Sequence, residues 1–163
     1  MTTKTYSENI RKILQNRKLI EDAFKIKISY EGRILVLEGK PEDEIFSLRA
    51  ITAIDLGFSI NDAVLLKDEN FDFEKISVKD LSKRKNLAQV RARIIGSRRK
   101  ALNTIESLTD CIISVHENTV GIIGEIENIG KAIYAIKRII SGSNHASVYA
   151  YLEEQKALER MKF

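Results

Sequence analysis

The sequence predicts an α+β protein built from two copies of one unit, and three observations indicate this. A shift of about 85 positions places the segment IKISYEGRILVLEG (26–39) on CIISVHENTVGIIG (111–124), and such self-similarity is typical of repeated units. A long helical pattern follows each of these segments. Each pattern ends at a glycine, Gly57 or Gly142, a residue suited to the left-handed conformation at a helix end.

The repeat divides the chain into a first domain of residues 1–70 and a second domain of residues 71–163. Each of the two matching segments has two short alternating strands joined by a polar turn, which predicts a β-hairpin. A further strand, FDFEKISV (71–78), is expected to open the second unit. A helical stretch that is interrupted in its middle precedes each hairpin. The expected order is strand, helix, helix, strand, strand, helix, with the helices covering one face of a three-stranded sheet.

The helix after each hairpin is predicted from the spacing of its apolar residues. The second copy has one apolar stripe at spacings of three and four, formed by Ile126, Ile129, Ile133, Ile136 and Ile140. Such a stripe is typical of an amphipathic helix. The stripe of the first copy is looser and consists of Ile45, Leu48, Ile51 and Ile54. Beyond each terminal glycine, Ser59 or Asn144 is a potential N-cap of a further helix.

The distribution of charge is more informative than its total. The net charge of +4 and the isoelectric point near 9.1 are only mildly basic. However, no acidic residue occurs between Asp80 and Glu106, a segment that holds Lys83, Arg84, Lys85, Arg91, Arg93, Arg98, Arg99 and Lys100. A polyanion is the natural partner of such a segment, although many basic runs are simply solvated surface.

Composition and motifs argue against several classes of function. The single cysteine, Cys111, excludes a disulfide framework and a cysteine-rich zinc site. Strand alternation places Cys111 on the core face, and nothing places His116 or His145 beside it as a general base. We therefore expect no catalytic residue, no metal and no cofactor. The N-terminal residues lack the apolar region of a signal peptide, and no segment reaches transmembrane length, so a cytoplasmic location without a membrane partner is expected.

The predicted order, with a glycine-bearing loop between the first two helices, resembles a type I K-homology (KH) domain, βααββα. The segments ARIIG, ISVHENTVGIIG and AIKRIISGSNHASVYAYLE resemble the second domain of the archaeal two-KH ribosome assembly factors. These are related to the eukaryotic protein that partners the Nob endonuclease and the rRNA dimethyltransferase. The segment AITAIDLGFSINDAVLL (50–66) resembles the end of the first domain in that family. The resemblance covers most of the chain from about residue 20.

This resemblance implies a non-enzymatic assembly factor of the small ribosomal subunit. In the family, the second domain binds single-stranded RNA near the 3′ end of the small-subunit rRNA, and the first domain serves more in protein contacts. The implied partners are single-stranded rRNA, the Nob-type endonuclease and other small-subunit assembly proteins. Two alternatives remain. One is a degenerate KH scaffold that mainly binds proteins, and the other is a general KH regulator of mRNA, which the family-like SVYAYLE segment disfavours.

The loop Gly96-Ser97-Arg98-Arg99 corresponds to the family pattern Gly-x-x-Gly, in which glycine permits a positive φ and a close approach of phosphate to the backbone. Here Arg99 replaces the second glycine. If its φ is positive, the substitution costs on the order of 1 kcal/mol, but it adds a bidentate donor for phosphate. We interpret the loop as a side-chain clamp. The alternative is a decayed loop whose arginines are merely solvated.

The rest of the candidate RNA-binding set surrounds this loop. Ile94 and Ile95 are candidates for apolar contact with bases, although core packing is expected for at least one of them. Arg91 and Arg93 are expected to meet the RNA backbone or base edges, and Asn103 either reads a base or is exposed polar surface. The complete set is Arg91, Arg93, Ile94, Ile95, Gly96, Ser97, Arg98, Arg99, Lys100 and Asn103.

The first copy contains no comparable loop. Under the 85-residue shift, Gly96 and Arg99 fall on Arg11 and Leu14, and no glycine occurs before Gly32. Backbone capture of phosphate is therefore not expected there, although Arg11, Lys12, Arg17 and Lys18 could add non-specific attraction. The first domain is interpreted as a structural or protein-binding half.

Overall fold

The structure, a computed structural model, describes residues 2–162 of the chain and forms two compact units, residues 1–73 and residues 74–163. Each unit has one three-stranded antiparallel sheet with helices. This confirms the predicted α+β class and the tandem arrangement of two βααββα units. None of the helices in residues 2–162 is both long enough and apolar enough to cross a membrane.

The N-terminal unit contains the complete strand–helix–helix–strand–strand–helix order. Its elements are β1 (Thr2–Tyr6), α1 (Ile10–Gln15), α2 (Arg17–Phe24), β2 (Lys27–Glu31), β3 (Ile34–Glu38), α3 (Pro41–Asp55), α4 (Ile60–Val64) and a 3-10 turn (Leu65–Lys67). The sheet order is β1-β3-β2. Strand β1 pairs antiparallel with β3 from Thr2↔Glu38 to Tyr6↔Ile34. The first residues of the chain therefore complete the first sheet.

The C-terminal unit repeats this order with additions. Its elements are β4 (Phe71–Ser77), α5 (Val78–Leu81), α6 (Leu87–Ile95), a 3-10 turn (Ser97–Arg99), α7 (Lys100–Thr109), β5 (Ile112–His116), β6 (Thr119–Glu125), α8 (Ile126–Ile140) and α9 (His145–Met161). The sheet order is β4-β6-β5, so β5 is an edge strand. Strands β5 and β6 form an antiparallel hairpin in which Ile113 lies opposite Ile122.

The helix ends follow the signals in the sequence. Ser59 and Asn144 are the N-caps of α4 and α9, and their side chains accept hydrogen bonds from the amides of Asp62 and Ser147. Both predicted N-caps are thus confirmed. Helices α3 and α8 are each followed by a glycine with a positive φ, +100° at Gly57 and +103° at Gly142. These matched ends show that the repeat extends to backbone conformation.

Glycine at the end of the third strand brings that strand close to the residue before the second strand in both units. A Cβ on Gly124 would lie 2.4 Å from Sγ of Cys111, and a Cβ on Gly39 would lie 3.0 Å from Cγ2 of Ile26. Real Cβ atoms do not approach other atoms at 2.4 Å, so the Gly124 position accepts no side chain without rearrangement. Cys111 is therefore a core residue of the hairpin, as the strand alternation predicts.

The core of the C-terminal unit joins the sheet to its helices. Ile76, Ile113 and Ile122 of the three strands pack with residues from α6, α7, α8 and α9 in one buried cluster. Along α8, Ile129 and Ile136 are buried, whereas Ile126 at the first position remains 59% exposed. The stripe predicted for the first copy is only partly buried, because Ile51 and Ile54 face the core but Ile45 is 60% exposed.

Candidate nucleic-acid interface

The loop between α6 and α7 has an unusual backbone. Gly96 ends α6 with φ +76°, and the two arginines that follow also have positive φ, +53° at Arg98 and +64° at Arg99. For an L-residue with a side chain, the left-handed conformation costs about 1 to 2 kcal/mol. Arg99 therefore has the positive φ at which an arginine in place of the second glycine costs conformational energy. Two consecutive strained residues at a surface turn are a feature of functional loops rather than of stable packing.

Gly96 is required by space as well as by conformation. A Cβ at this position would lie 2.6 Å from the backbone nitrogen of Ala101 and 2.7 Å from its Cβ. The amide of Gly96 donates a hydrogen bond of 2.8 Å to the carbonyl of Ala92, which closes the last turn of α6. The loop therefore lies directly on the first turn of α7, and only glycine fits there.

The start of α7 is open to an anion. Arg99 is its N-cap residue and makes no side-chain capping bond, and the first turn of α7 contains no acidic residue. Unpaired amides and the helix dipole attract negative charge at such an end. The loop and the first turn of α7 are thus suited to a phosphate group.

The side chain of Arg99 points toward the protein, which the sequence does not indicate. Its guanidinium donates hydrogen bonds to Oδ1 of Asn103, to Oε1 of Glu106 and to the carbonyl oxygen of Ile113, the last at 3.0 Å. Oε2 of Glu106 in turn accepts a hydrogen bond of 2.9 Å from the backbone amide of Ile113. The backbone carbonyl and amide of Ile113 on the edge strand β5 are therefore both hydrogen-bonded, to Arg99 and Glu106 respectively.

Arg98 and Lys100 differ from Arg99. Both side chains are exposed, and within residues 2–162 neither makes a hydrogen bond or an ion pair. Of the three consecutive cations in this loop, the two outer ones are therefore the ones free to meet an anion. Ser97 is also exposed.

The structure assigns three of the predicted site residues to other contacts. Ile94 is fully buried in the core of the C-terminal unit. Arg93 donates to the carbonyls of Ile139 at 3.0 Å and Ser143 at 2.7 Å, so it holds the end of α8. Arg91 donates to Oδ1 of Asn118 in the turn between β5 and β6. The core packing expected for at least one of the two isoleucines thus applies to Ile94.

The remaining predicted residues lie together around the loop. Ile95 is half-buried at the end of α6, and Asn103 is exposed one turn into α7. Gly96, Ser97, Arg98, Arg99 and Lys100 form the loop itself and the first residue of α7. This group, without Arg91, Arg93 and Ile94, is called the loop cluster below.

A shallow cavity of about 480 Å³ lies beside the loop cluster, between α7 and α9. It is lined by Arg98, Lys100, Asn103, Thr104, Ser107, Leu108 and Glu153. Glu153 and Glu106 are two functional candidates that the sequence reasoning missed. The sequence did contain a signal for Glu106, because the 85-residue shift places it on Glu21. In the structure, Glu21 accepts a hydrogen bond of 2.7 Å from the amide of Ile28, just as Glu106 accepts one from the amide of Ile113.

Groups that could support catalysis or bind a metal are engaged structurally. Desolvation in the core raises the pKa of the Cys111 thiol to about 11, which keeps it protonated and unreactive. His145 contacts the carbonyl of Arg93 at 2.7 Å through Nε2. Across residues 2–162 no three residues of the types His, Cys, Asp or Glu come close enough together to hold a metal ion.

The N-terminal unit has a different junction at the equivalent place. Helices α1 and α2 are separated by Asn16 alone, which has φ −113°. The 85-residue shift, which places Gly96 on Arg11, is therefore wrong at this point, because Arg11 lies inside α1 and the junction comes five residues later. The reason is that α2 has 8 residues where α7 has 10, and that one residue stands where the C-terminal unit has four, so the junction of the N-terminal unit lies nearer to the end of its second helix.

Comparison with known proteins agrees with this geometry. A family model for the second KH domain of PNO1, described as a eukaryotic-type KH domain (KH-domain type I), matches residues 72–157. The KH domain-containing protein MJ0443 of Methanocaldococcus jannaschii is 30% identical over 161 residues, which cover 95% of this chain and 69% of the relative.

Two solved structures from Pyrococcus horikoshii OT3 are also similar. Dim2p superimposes with a TM-score of 0.86 at 29% identity, over 94% of this chain and 99% of Dim2p. The aDim2p chain of a complex of a/eIF2alpha, aDim2p and rRNA gives a TM-score of 0.86 at 30% identity, over 96% of this chain and 94% of that one. The predicted resemblance is confirmed: this chain belongs to the PNO1-type family of KH-domain RNA-binding proteins.

Proposed function

We propose that this protein is a non-catalytic assembly factor of the small ribosomal subunit that binds single-stranded rRNA near its 3′ end through the second domain, residues 71–163. The observation that carries the proposal is the pair of exposed cations, Arg98 and Lys100, which have no partner in residues 2–162 and lie on either side of a strained residue at the open start of α7. Phosphate contacts of this kind supply most of the affinity of proteins for nucleic acid.

The residues of the loop cluster have separate roles in this proposal. Gly96 lets the RNA backbone approach the amides of the loop, and Arg98 and Lys100 bind the phosphates. Ile95 provides apolar surface for a base. Arg99 holds the shape of the loop through Glu106 and Ile113, so its contribution is to position the phosphate site rather than to clamp the phosphate itself.

The rRNA target and the role in ribosome assembly rest on the relatives. The solved aDim2p structure is a complex with rRNA and a/eIF2alpha, and the matching family model is that of the second KH domain of PNO1. A chain with the same fold and a basic loop at the start of α7 is suited to the same class of ligand. We place this protein in the cytoplasm with small-subunit assembly proteins on the same basis.

The test is titration of a fluorescent single-stranded RNA that matches the 3′ end of the small-subunit rRNA. The variant Arg98→Glu/Lys100→Glu is expected to bind at least tenfold more weakly. The slope of log K against log salt should fall by roughly 1.4, because about 0.7 is lost per phosphate contact on a single strand. The charge-matched control Arg33→Glu/Lys40→Glu changes exposed cations of the N-terminal unit that are not assigned to RNA attraction and should bind as the wild type does. Unchanged affinity and slope in the loop variant would refute the proposal.

A second function, as a scaffold for assembly proteins such as a Nob-type endonuclease, is favoured by the junction at Asn16. A single residue with negative φ offers no phosphate loop, so residues 1–70 are available for protein contacts. Size-exclusion chromatography with the purified endonuclease tests this role. Complex formation that survives in the Arg98→Glu/Lys100→Glu variant supports a protein-binding first domain, and the absence of any complex contradicts it.

A further inference from the structure

Helix α7 presents two different exposed edges, and only one of them faces β5. Arg99 and Glu106 lie toward β5 and are bonded to each other and to that strand, and Asn103, which accepts from Arg99, lies between the two edges and also lines the cavity on the α9 side. Lys100, Thr104, Ser107 and Leu108 lie toward α9 and line the cavity of about 480 Å³ together with Glu153. This volume is within the range of about 300 to 1,000 Å³ that is usual for ligand pockets.

Side-chain contacts between α7 and α9 hold the walls of this cavity. Nζ of Lys156 donates to the carbonyl of Ser107 at 3.0 Å, and Tyr149 of α9 packs against the hydrophobic core to which both helices contribute. Thr104 donates to the carbonyl of Lys100 at 2.8 Å. The cavity is thus formed by two helices that are tied together, with half-buried Leu108 as its apolar surface.

The charges in the cavity differ from those of a simple phosphate site. Arg98 and Lys100 are at one end, with no partner in the described residues, but the lining also contains the carboxylate of Glu153. A carboxylate repels phosphate, so it is out of place in a site for backbone alone. In contrast, it is an acceptor for the N–H groups of a base. The arrangement therefore fits a nucleotide, with its phosphate on the cations and its base toward Glu153.

The hydrogen-bonding groups of the cavity select among the bases. Oδ1 of Asn103 accepts from Arg99, which leaves the amide nitrogen of Asn103 as a donor for a ligand. Glu153 has no partner in residues 2–162 and supplies two acceptor oxygens. Guanine presents two adjacent donors, N1–H and the N2 amine, next to the acceptor O6. The Watson–Crick edges of adenine, cytosine and uracil each carry one donor group only.

We propose that this cavity, formed by α7 and α9, is a guanine-specific subsite for the nucleotide next to the phosphate held by Arg98 and Lys100. The carboxylate of Glu153 accepts N1–H and N2–H, the amide of Asn103 donates to O6, and Leu108 contacts the face of the ring. This inference rests on the proposed RNA-binding function and adds sequence preference to it. It also gives the surface of α9 near Glu153 a direct role in RNA recognition.

The experiment compares eight-nucleotide uridine RNA with the same RNA carrying one guanosine, placed at each position in turn. The wild type is expected to bind the best guanosine-containing RNA roughly tenfold more tightly than the uridine RNA, a ratio within the range for one bidentate base contact. Inosine in place of that guanosine removes the N2 amine and should abolish most of the preference. Glu153→Gln should likewise reduce the preference to about twofold while binding uridine RNA at least as tightly as the wild type does.

Two controls separate this proposal from the proposed function. Glu154→Gln removes the adjacent exposed acid, which does not line the cavity, and should keep the full preference for guanosine. If Arg98→Glu/Lys100→Glu does not weaken binding to any of these RNAs, the proposed function itself is wrong. If that variant loses RNA but the wild type shows no preference for guanosine, or Glu153→Gln keeps it, only the guanine subsite is refuted.

Discussion

Helices α1 and α2 of the N-terminal unit meet at the single residue Asn16, whereas four residues, Gly96–Arg99, separate α6 and α7 of the C-terminal unit. After this point the two units agree closely. Lys25 and Asp110 end their helices with nearly the same left-handed φ, +57° and +55°. The comparison shows that the hairpin and its packing are shared, while the loop that we propose binds RNA occurs in the C-terminal unit and has no counterpart at Asn16.

The two units also share a contact that fixes the edge of the sheet. Glu21 and Glu106 each accept a hydrogen bond from a backbone amide of the second strand of their unit. Each carboxylate also forms an ion pair with an arginine of the same unit, Arg17 or Arg99. In the N-terminal unit the arginine lies four residues earlier on the same helix. In the C-terminal unit it comes from the loop, so the same carboxylate also determines the loop conformation.

The largest effect is expected from Gly96→Ala, which should disrupt the loop conformation that distinguishes the C-terminal unit from the N-terminal unit. The added Cβ would collide with Ala101, and the φ of +76° is unfavourable for alanine. We expect a loss of about 2 to 3 kcal/mol in the free energy of unfolding, from strain and overpacking together, and loss of RNA binding. Chemical denaturation and RNA titration measure these effects.

Gly130→Ala is the matched control for this substitution, because Gly130 lies in α8 with no atom within 4 Å of an added Cβ. It should raise stability by about 0.5 to 1 kcal/mol through helix propensity. Equal effects of the two substitutions would contradict the close packing of the loop on α7.

An intermediate effect is expected when Arg99 is changed in two ways. Arg99→Ala loses the contacts with Glu106 and Ile113 but keeps the unfavourable left-handed backbone, so we expect it to lose about 1 to 2 kcal/mol of unfolding free energy. Arg99→Gly loses the same contacts but relieves the strain, and we expect it to lose less than about 1 kcal/mol. Thermal and urea unfolding of both variants measure the difference.

RNA binding by these two variants tests whether Arg99 positions the loop or binds phosphate. Both should bind RNA more weakly with an unchanged salt slope, because no phosphate contact is removed. Arg99→Gly should keep more of the affinity, since it restores the Gly-x-x-Gly pattern. A drop of the salt slope by roughly 0.7 in both variants would instead identify Arg99 as a phosphate ligand.

The smallest effect is expected from removing the shared carboxylates one at a time. Glu21→Ala and Glu106→Ala each leave the amide of Ile28 or Ile113 without its charged acceptor, so its hydrogen exchange should become faster. We expect a loss of about 0.5 kcal/mol for Glu21→Ala and about 1 kcal/mol for Glu106→Ala, because the latter also releases Arg99. Native-state exchange measured by NMR distinguishes the two amides, and equal losses would show that Arg99 adds nothing.

Much of the fold was predictable because it is repeated. The hairpins, the glycine-terminated helices and the N-caps Ser59 and Asn144 follow from local chemistry that recurs at one spacing. The 85-residue offset does not give the equivalent of Gly96 correctly, because the second helix and the junction before it are both shorter in the N-terminal unit. Ile45 is exposed although it fits an apolar stripe, since the spacing of residues alone does not show how far a neighbouring layer extends.

The site was predictable only in part. The acid-free segment and the glycine at position 96 indicate the loop, but Ile94 and Arg93 turn inward because α6 is partly buried by α8. The direction of the Arg99 side chain depends on two consecutive left-handed residues and on Glu106 seven positions later. That combination has no local signal in the sequence. The sequence likewise does not indicate that α9 forms one side of the cavity, because Glu153 lies far from the loop along the chain.

The free state of Arg98 and Lys100 has a kinetic consequence. Since neither cation has a partner to release in residues 2–162, both are available when RNA first approaches, and we expect their field to accelerate encounter in the proposed complex. Arg99 is already bonded to Glu106, so it acts only after contact, by keeping the loop in shape. For the proposed RNA complex we therefore expect charge at positions 98 and 100 to set the association rate constant and its dependence on ionic strength, and the residue at position 99 to set the lifetime of the complex.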